Sequence, residues 1–131
     1  MLKLEAEGAQ IRMSTQPTGE HRPPLLAMPD KHPAALRVAV SKIKPGVLKH
    51  FDEHWESAMT KAREEYSLLP GRAFTEHWWM WVAIYRNPAL AERFEECERI
   101  VAEAEDSAER RDAAAELSRI LALAAAEAEG S

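Results

Sequence analysis

Arg72-Ala-Phe-Thr-Glu-His-Trp-Trp-Met-Trp-Val-Ala-Ile-Tyr-Arg86 is the stretch on which the fold turns. Phe74, Trp78, Trp81, Val82 and Tyr85 recur at helical spacing and form one stripe. Met80 and Ile84 flank it, and Trp79 and Ala83 fall on the far side. A helix that is apolar nearly all round is either central in a core or offers a face to a partner. Asn87-Pro88 ends this helix and starts another, with asparagine as cap and proline in the first turn.

On the N-terminal side, Leu69-Pro70-Gly71 predicts a break. Before it, Leu48, Phe51, Trp55, Met59, Ala62 and Tyr66 predict a long helix over 46–66 with one apolar face. Pro45-Gly46 separates it from an earlier helix, in which Asp30 is the expected cap and Ala35, Leu36, Val40 and Ile43 the buried positions. Five of the eight prolines fall between Pro17 and Pro33, so 1–29 is expected to be a flexible tail. Met13 is a second plausible start.

On the C-terminal side, Leu90, Phe94, Cys97, Ile100 or Val101, and Ala104 predict a helix over 88–105. Asp106-Ser107 recaps the chain, and Ala113, Leu117, Ile120, Leu121 and Ala124 give 108–128 a thin apolar stripe. That last helix either packs closely or projects to pair with another chain. No alternating β-branched run is present. The expected fold is all-α: one domain over 30–128, a compact bundle of four to five helices behind a Pro-rich tail.

The charge is uneven along the 131 residues. The formal net charge is −5, but 1–45 carry +3, 46–90 carry −1 and 91–131 carry −7. A protein-wide cationic field for nucleic acid is excluded. A single cysteine excludes an internal disulfide framework. No apolar run suits a membrane span, and Glu5 and Glu7 interrupt any signal-peptide core. The expectation is a cytoplasmic protein with no membrane contact and no cofactor.

Few residues suggest chemistry. His50-Phe-Asp-Glu53-His54 matches H-x-x-E-H, in which histidines four apart share a helix face and can bind zinc. Both histidines sit at the edge of the apolar stripe among carboxylates, so surface histidines are the preferred reading and a zinc-dependent hydrolase the lesser alternative. Only Glu76 or His77 offers a third ligand. Cys97, between glutamates on an apolar face, reads as a buried structural thiol. The carboxylates from Glu92 to Glu116 space like surface charges, and no glycine-rich phosphate loop occurs.

Binding residues stand out more. All nine aromatic residues lie between Phe51 and Phe94. Trp79, projecting away from the stripe beside Glu76, reads as an exposed interface anchor. Arg37, Lys42, Lys44 and Lys49 form a basic patch around Pro45-Gly46, and a helix-turn-helix reader of DNA is the alternative it suggests. The presumed recognition helix would carry Asp52 and Glu53 where base contacts belong, which argues against DNA.

The runs Lys31-His-Pro-Ala-Ala-Leu-Arg, Phe51-Asp-Glu-His-Trp-Glu-Ser-Ala-Met, Ala62-Arg-Glu-Glu-Tyr-Ser-Leu and His77-Trp-Trp-Met-Trp resemble the small actinobacterial proteins catalogued as domain of unknown function 6247. The resemblance covers about residues 30–100 and carries no site residues. It implies an actinobacterial setting and, because such proteins can be encoded beside small RelE-like toxins, an antitoxin role. The function expected is a non-enzymatic protein-binding module, antitoxin-like, that engages a basic partner through Trp79, Glu76, Glu95, Glu98, Glu103 and Glu105. A homo-oligomer held by the Trp-rich or the alanine-rich helix is a further expectation.

Overall fold

A computed structural model describes residues 22–130. It contains five α-helices: α1 (Pro33–Ile43), α2 (Leu48–Glu65), α3 (Leu69–Tyr85), α4 (Pro88–Glu103) and α5 (Ser107–Glu129). A single 3-10 turn, Pro45–Val47, joins α1 to α2, and no strand occurs among the described residues. The all-α bundle is as expected. The presumed tail residues 1–21 and the alternative start at Met13 lie outside the described residues.

The Trp-rich helix is the centre of the bundle. α3 packs against α1, α2, α4 and α5 in turn. Phe74, Trp78 and Val82 are buried, with Leu36 and Val40 of α1 and Phe51 of α2 among the residues of the same core. Phe51 meets Phe74 at 5.0 Å and Trp78 at 4.9 Å between ring centroids, both inclined, as ring quadrupoles favour. The ring contacts continue outward from Trp78 to Trp81 at 5.7 Å and from Trp81 to Tyr85 at 4.5 Å. The last pair is nearly parallel, at 15°.

Several boundaries depart from the sequence expectation. Leu69-Pro70-Gly71 does not break the chain: Pro70 sits in the first turn of α3, where a missing N–H costs nothing. The reversal lies earlier, at Tyr66, whose φ of 51° is left-handed. Tyr66 therefore caps α2 rather than extending its apolar stripe, and it is 96% exposed. Leu68 and Leu69 beside it are also exposed, so the α2–α3 corner is an apolar tip. α1 is capped by His32, whose Nδ1 accepts from Ala35 N at 3.3 Å, and not by Asp30. Asp106 does cap α5, accepting from Ala108 N at 3.0 Å.

Residues 22–28 are not free. Leu25 N donates to Arg86 O at 2.7 Å, and Arg86 Nη1 donates to Leu26 O at 3.3 Å. Arg22 pairs with Glu92 at 3.2 Å, and Leu26 and Met28 pack on the core. The end of the expected tail is thus a strap across the α3–α4 junction. Arg86 is the buried charged residue that anchors it.

α5 packs on the domain. It lies along α4 and reaches α3, burying Ala113, Ile120, Ala124 and Ala128. Alanines on this face allow close approach, and the projecting arrangement is not seen. Arg93 of α4 and Glu116 of α5 form an ion pair across the two helices. Arg110 Nη1 donates to Ala104 O at 2.6 Å and to Glu105 O at 3.0 Å, satisfying carbonyls at the end of α4.

Candidate functional site

Burial on α3 is lopsided. The side carrying Phe74, Trp78, Trp79, Val82 and Ala83 is covered, while Ala73, Glu76 and His77 stay exposed and Met80 and Trp81 only half-buried. Along that second side runs a groove of about 630 Å³. Met80, Trp81, Ile84, Tyr85, Phe94 and Leu121 give it apolar walls, and Glu76, His77 and Glu98 supply its polar edge. The Trp81–Tyr85 stack and the edge contact of Phe94 with Tyr85, at 6.5 Å, make one wall a continuous run of rings. Tyr85 hydroxyl donates to Glu95 Oε2 at 3.0 Å. Its burial, that hydrogen bond and the charges of Glu95 and Glu98 push the phenol well above its ordinary pKa, so it stays a neutral donor.

Trp79 is not exposed, as the sequence suggested it would be. It is only 9% exposed, and Lys31 Nζ lies over its ring at 4.7 Å. The helical wheel put it opposite the stripe, and that opposite side is itself covered because α3 has neighbours on more than one flank. Trp81, expected in the core, takes the half-exposed position instead. The signal for it was the pair Met80 and Ile84 flanking the stripe, which widens the apolar arc on that side.

The expected acidic residues divide. Glu76 and Glu98 line the groove, and Glu95 is tied to it through Tyr85. Glu103 and Glu105 are not among the lining residues; Glu103 pairs with Arg99 at 3.3 Å, and Glu105 follows the end of α4. All five carboxylates belong to exposed residues.

The basic patch is partly neutralised. Arg37 makes a two-pronged contact with Asp52, 2.8 Å on each arm, which holds that carboxyl below its ordinary pKa. Lys44 lies 3.7 Å from Glu95 and 5.5 Å over the Tyr85 ring. Lys42 and Lys49 remain as exposed cations.

The histidines form a cluster beside the core. His54 Nδ1 accepts from Trp78 Nε1 at 2.9 Å, which removes one of its nitrogens from any ligand role. His50 and His77 lie 6.3 and 5.3 Å from the His54 ring. Burial lowers the pKa of His54 and His77, and the neighbouring histidines lower both further, so neutral imidazoles are favoured. Among the described residues no group of three or more His, Cys, Asp or Glu is disposed to hold a metal ion. Cys97 is buried, and burial followed by the Glu116 charge raises its pKa, away from the reactive thiolate. No described helix is long and apolar enough to cross a membrane.

No curated protein and no solved structure matches the chain. A family model does, over residues 24–125, a span that includes most of the docked strap and most of α5, wider than the stretch of resemblance seen in the sequence. Its description is a family of unknown function, DUF6247, and the chain belongs to that family.

Proposed function

We propose that this chain is a non-enzymatic protein-binding module that captures a basic partner, its specific form being an antitoxin-like protein that covers a cationic toxin. The groove on α3 is the observation that supports the reading. A protein of this size seldom leaves stacked aromatic side chains half-exposed beside methionine and leucine without a use for them. Aromatic residues and methionine are the types enriched at the centre of protein interfaces. Glu76 and Glu98 at its edge, and a net charge of −7 over 91–131, favour encounter with a basic surface.

The anchor in this reading is Trp81, backed by Tyr85, in place of Trp79. Glu76, Glu95 and Glu98 guide the partner, while Glu103 and Glu105 add only to the long-range field. Affinity purification from the source organism tests the reading, with wild-type, Trp81→Ala and Met80→Glu baits compared. A basic protein retained by the wild type and lost by both variants is the expected result. Co-expression with the product of the adjacent reading frame then tests the toxin form. A captured set unchanged by Met80→Glu would sink the groove as the interface.

A further inference from the structure

Two lysines of this chain already hold carboxylates at the edges of the groove. Lys31, just before α1, places Nζ 2.8 Å from Glu76 Oε2. Lys44, the C-cap of α1, reaches Glu95 at 3.7 Å. Each ammonium also lies over a ring of α3, Trp79 or Tyr85. Glu76 and Tyr85 are nine residues apart on α3, about 14 Å at the helical rise. Between the two ends lies the apolar wall, and Glu98 lines it without an ion-pair partner among the described residues. The lysine contacts are half-exposed, a class of ion pair that contributes little and exchanges readily.

We infer that the occupant of the groove is a cationic amphipathic helix of two to three turns, and that Lys31 and Lys44 hold the places its terminal cations take. This rests on the reading of the groove as a protein-binding site. The apolar side of the incoming helix lies on Met80, Trp81 and Phe94, the mode in which an amphipathic helix enters a hydrophobic groove. Its lysines or arginines pair with Glu76 and Glu95 at the ends and with Glu98 between them. The incoming cations compete with the chain's own lysines, so removing those lysines strengthens binding. A surface that merely tolerated a partner would show no such gain.

The test uses two blocked 11-residue synthetic peptides with the same apolar face. One carries lysines on its flanks and the other glutamines. Titration calorimetry on the full chain, at low and at physiological salt, is expected to show the lysine peptide binding about tenfold tighter at low salt. The Lys31→Gln, Lys44→Gln double variant is expected to bind it about threefold tighter than wild type, and Glu98→Gln about threefold weaker. Circular dichroism confirms that each variant keeps its helices. Equal binding of the two peptides overturns the inference, as does binding by the double variant that is no tighter than wild type. If neither peptide binds the inference fails, and a dimer dissolved by Trp81→Ala in sedimentation would then assign the groove to a second copy. The two proposals fail separately. Capture of the native partner that needs Trp81, with no preference between peptides, leaves the binding reading intact. Capture indifferent to Trp81 removes both.

Discussion

Trp78 and Trp81 stand less than one turn apart on the same helix and meet opposite surroundings. Trp78 is 1% exposed, touches Phe51 and donates its indole hydrogen to His54. Trp81 is half-buried, stacks on Tyr85 and walls the groove. The first has every partner it can use. The second has an incomplete shell and keeps apolar surface in water. One side of α3 therefore supports the fold, and the other is available for association.

The largest expected effect breaks the supporting side. Trp78→Ala removes a fully buried ring from the centre of the bundle and should cost about 3–5 kcal/mol of stability, read by denaturant unfolding. A loss below about 1 kcal/mol would mean that the core does not depend on this ring. Trp81→Ala should cost only about 1–2 kcal/mol, because part of the ring is already in water, while lowering partner capture at least tenfold. If the two alanine variants were equally unstable, the distinction between the two sides of α3 would collapse.

A smaller effect tests whether the ends of α3 are independent of its sides. Tyr66 holds a left-handed conformation that costs a bulky residue energy, yet its side chain is almost fully exposed. Tyr66→Gly should therefore stabilise the chain by about 1 kcal/mol and leave capture unchanged. A fall in stability would show that the exposed ring makes a contact of consequence.

The smallest effect concerns pH. His54 and His77 titrate below their ordinary 6.5 in the folded chain. Above that value both are neutral whether folded or unfolded. As pH falls through it, the unfolded chain takes up protons that the folded chain resists, so stability declines toward the lowered folded values. His77 is exposed and His54 half-buried, so solvent screens much of the effect and the decline from pH 7 to 5.5 should stay below about 1 kcal/mol. His54→Gln, which keeps an acceptor for Trp78, should flatten the slope. An unchanged slope in a His54→Gln, His77→Gln pair would assign the acid sensitivity elsewhere.

Much of the fold was legible because helices announce themselves locally. The periodic stripes located all five, Asp106 marked its own cap, and Cys97 fell on a buried face as its apolar spacing required. What was illegible depended on how many neighbours an element has. A helical wheel assigns one inner side, so it exposed Trp79, whereas α3 is flanked on several sides and covers it. The strap was hidden for a related reason. Proline-rich residues give no periodic signal, and the hydrogen bonds that hold Leu25 and Leu26 come from Arg86, some sixty positions away. Tyr66 misled because glycine normally takes the left-handed cap, and Gly71 lay close enough to suggest a later break.

The apolar corner at Tyr66, Leu68 and Leu69 bears on how the protein behaves in concentrated solution. The corner and the groove on α3 are two separate apolar surfaces of one molecule. Contact between two such unlike patches is head-to-tail, which gives open chains unless the rotation between neighbours closes a ring. A partner in the groove covers one of the two patches. The bound form should then remain dispersed at concentrations where the free protein begins to scatter light.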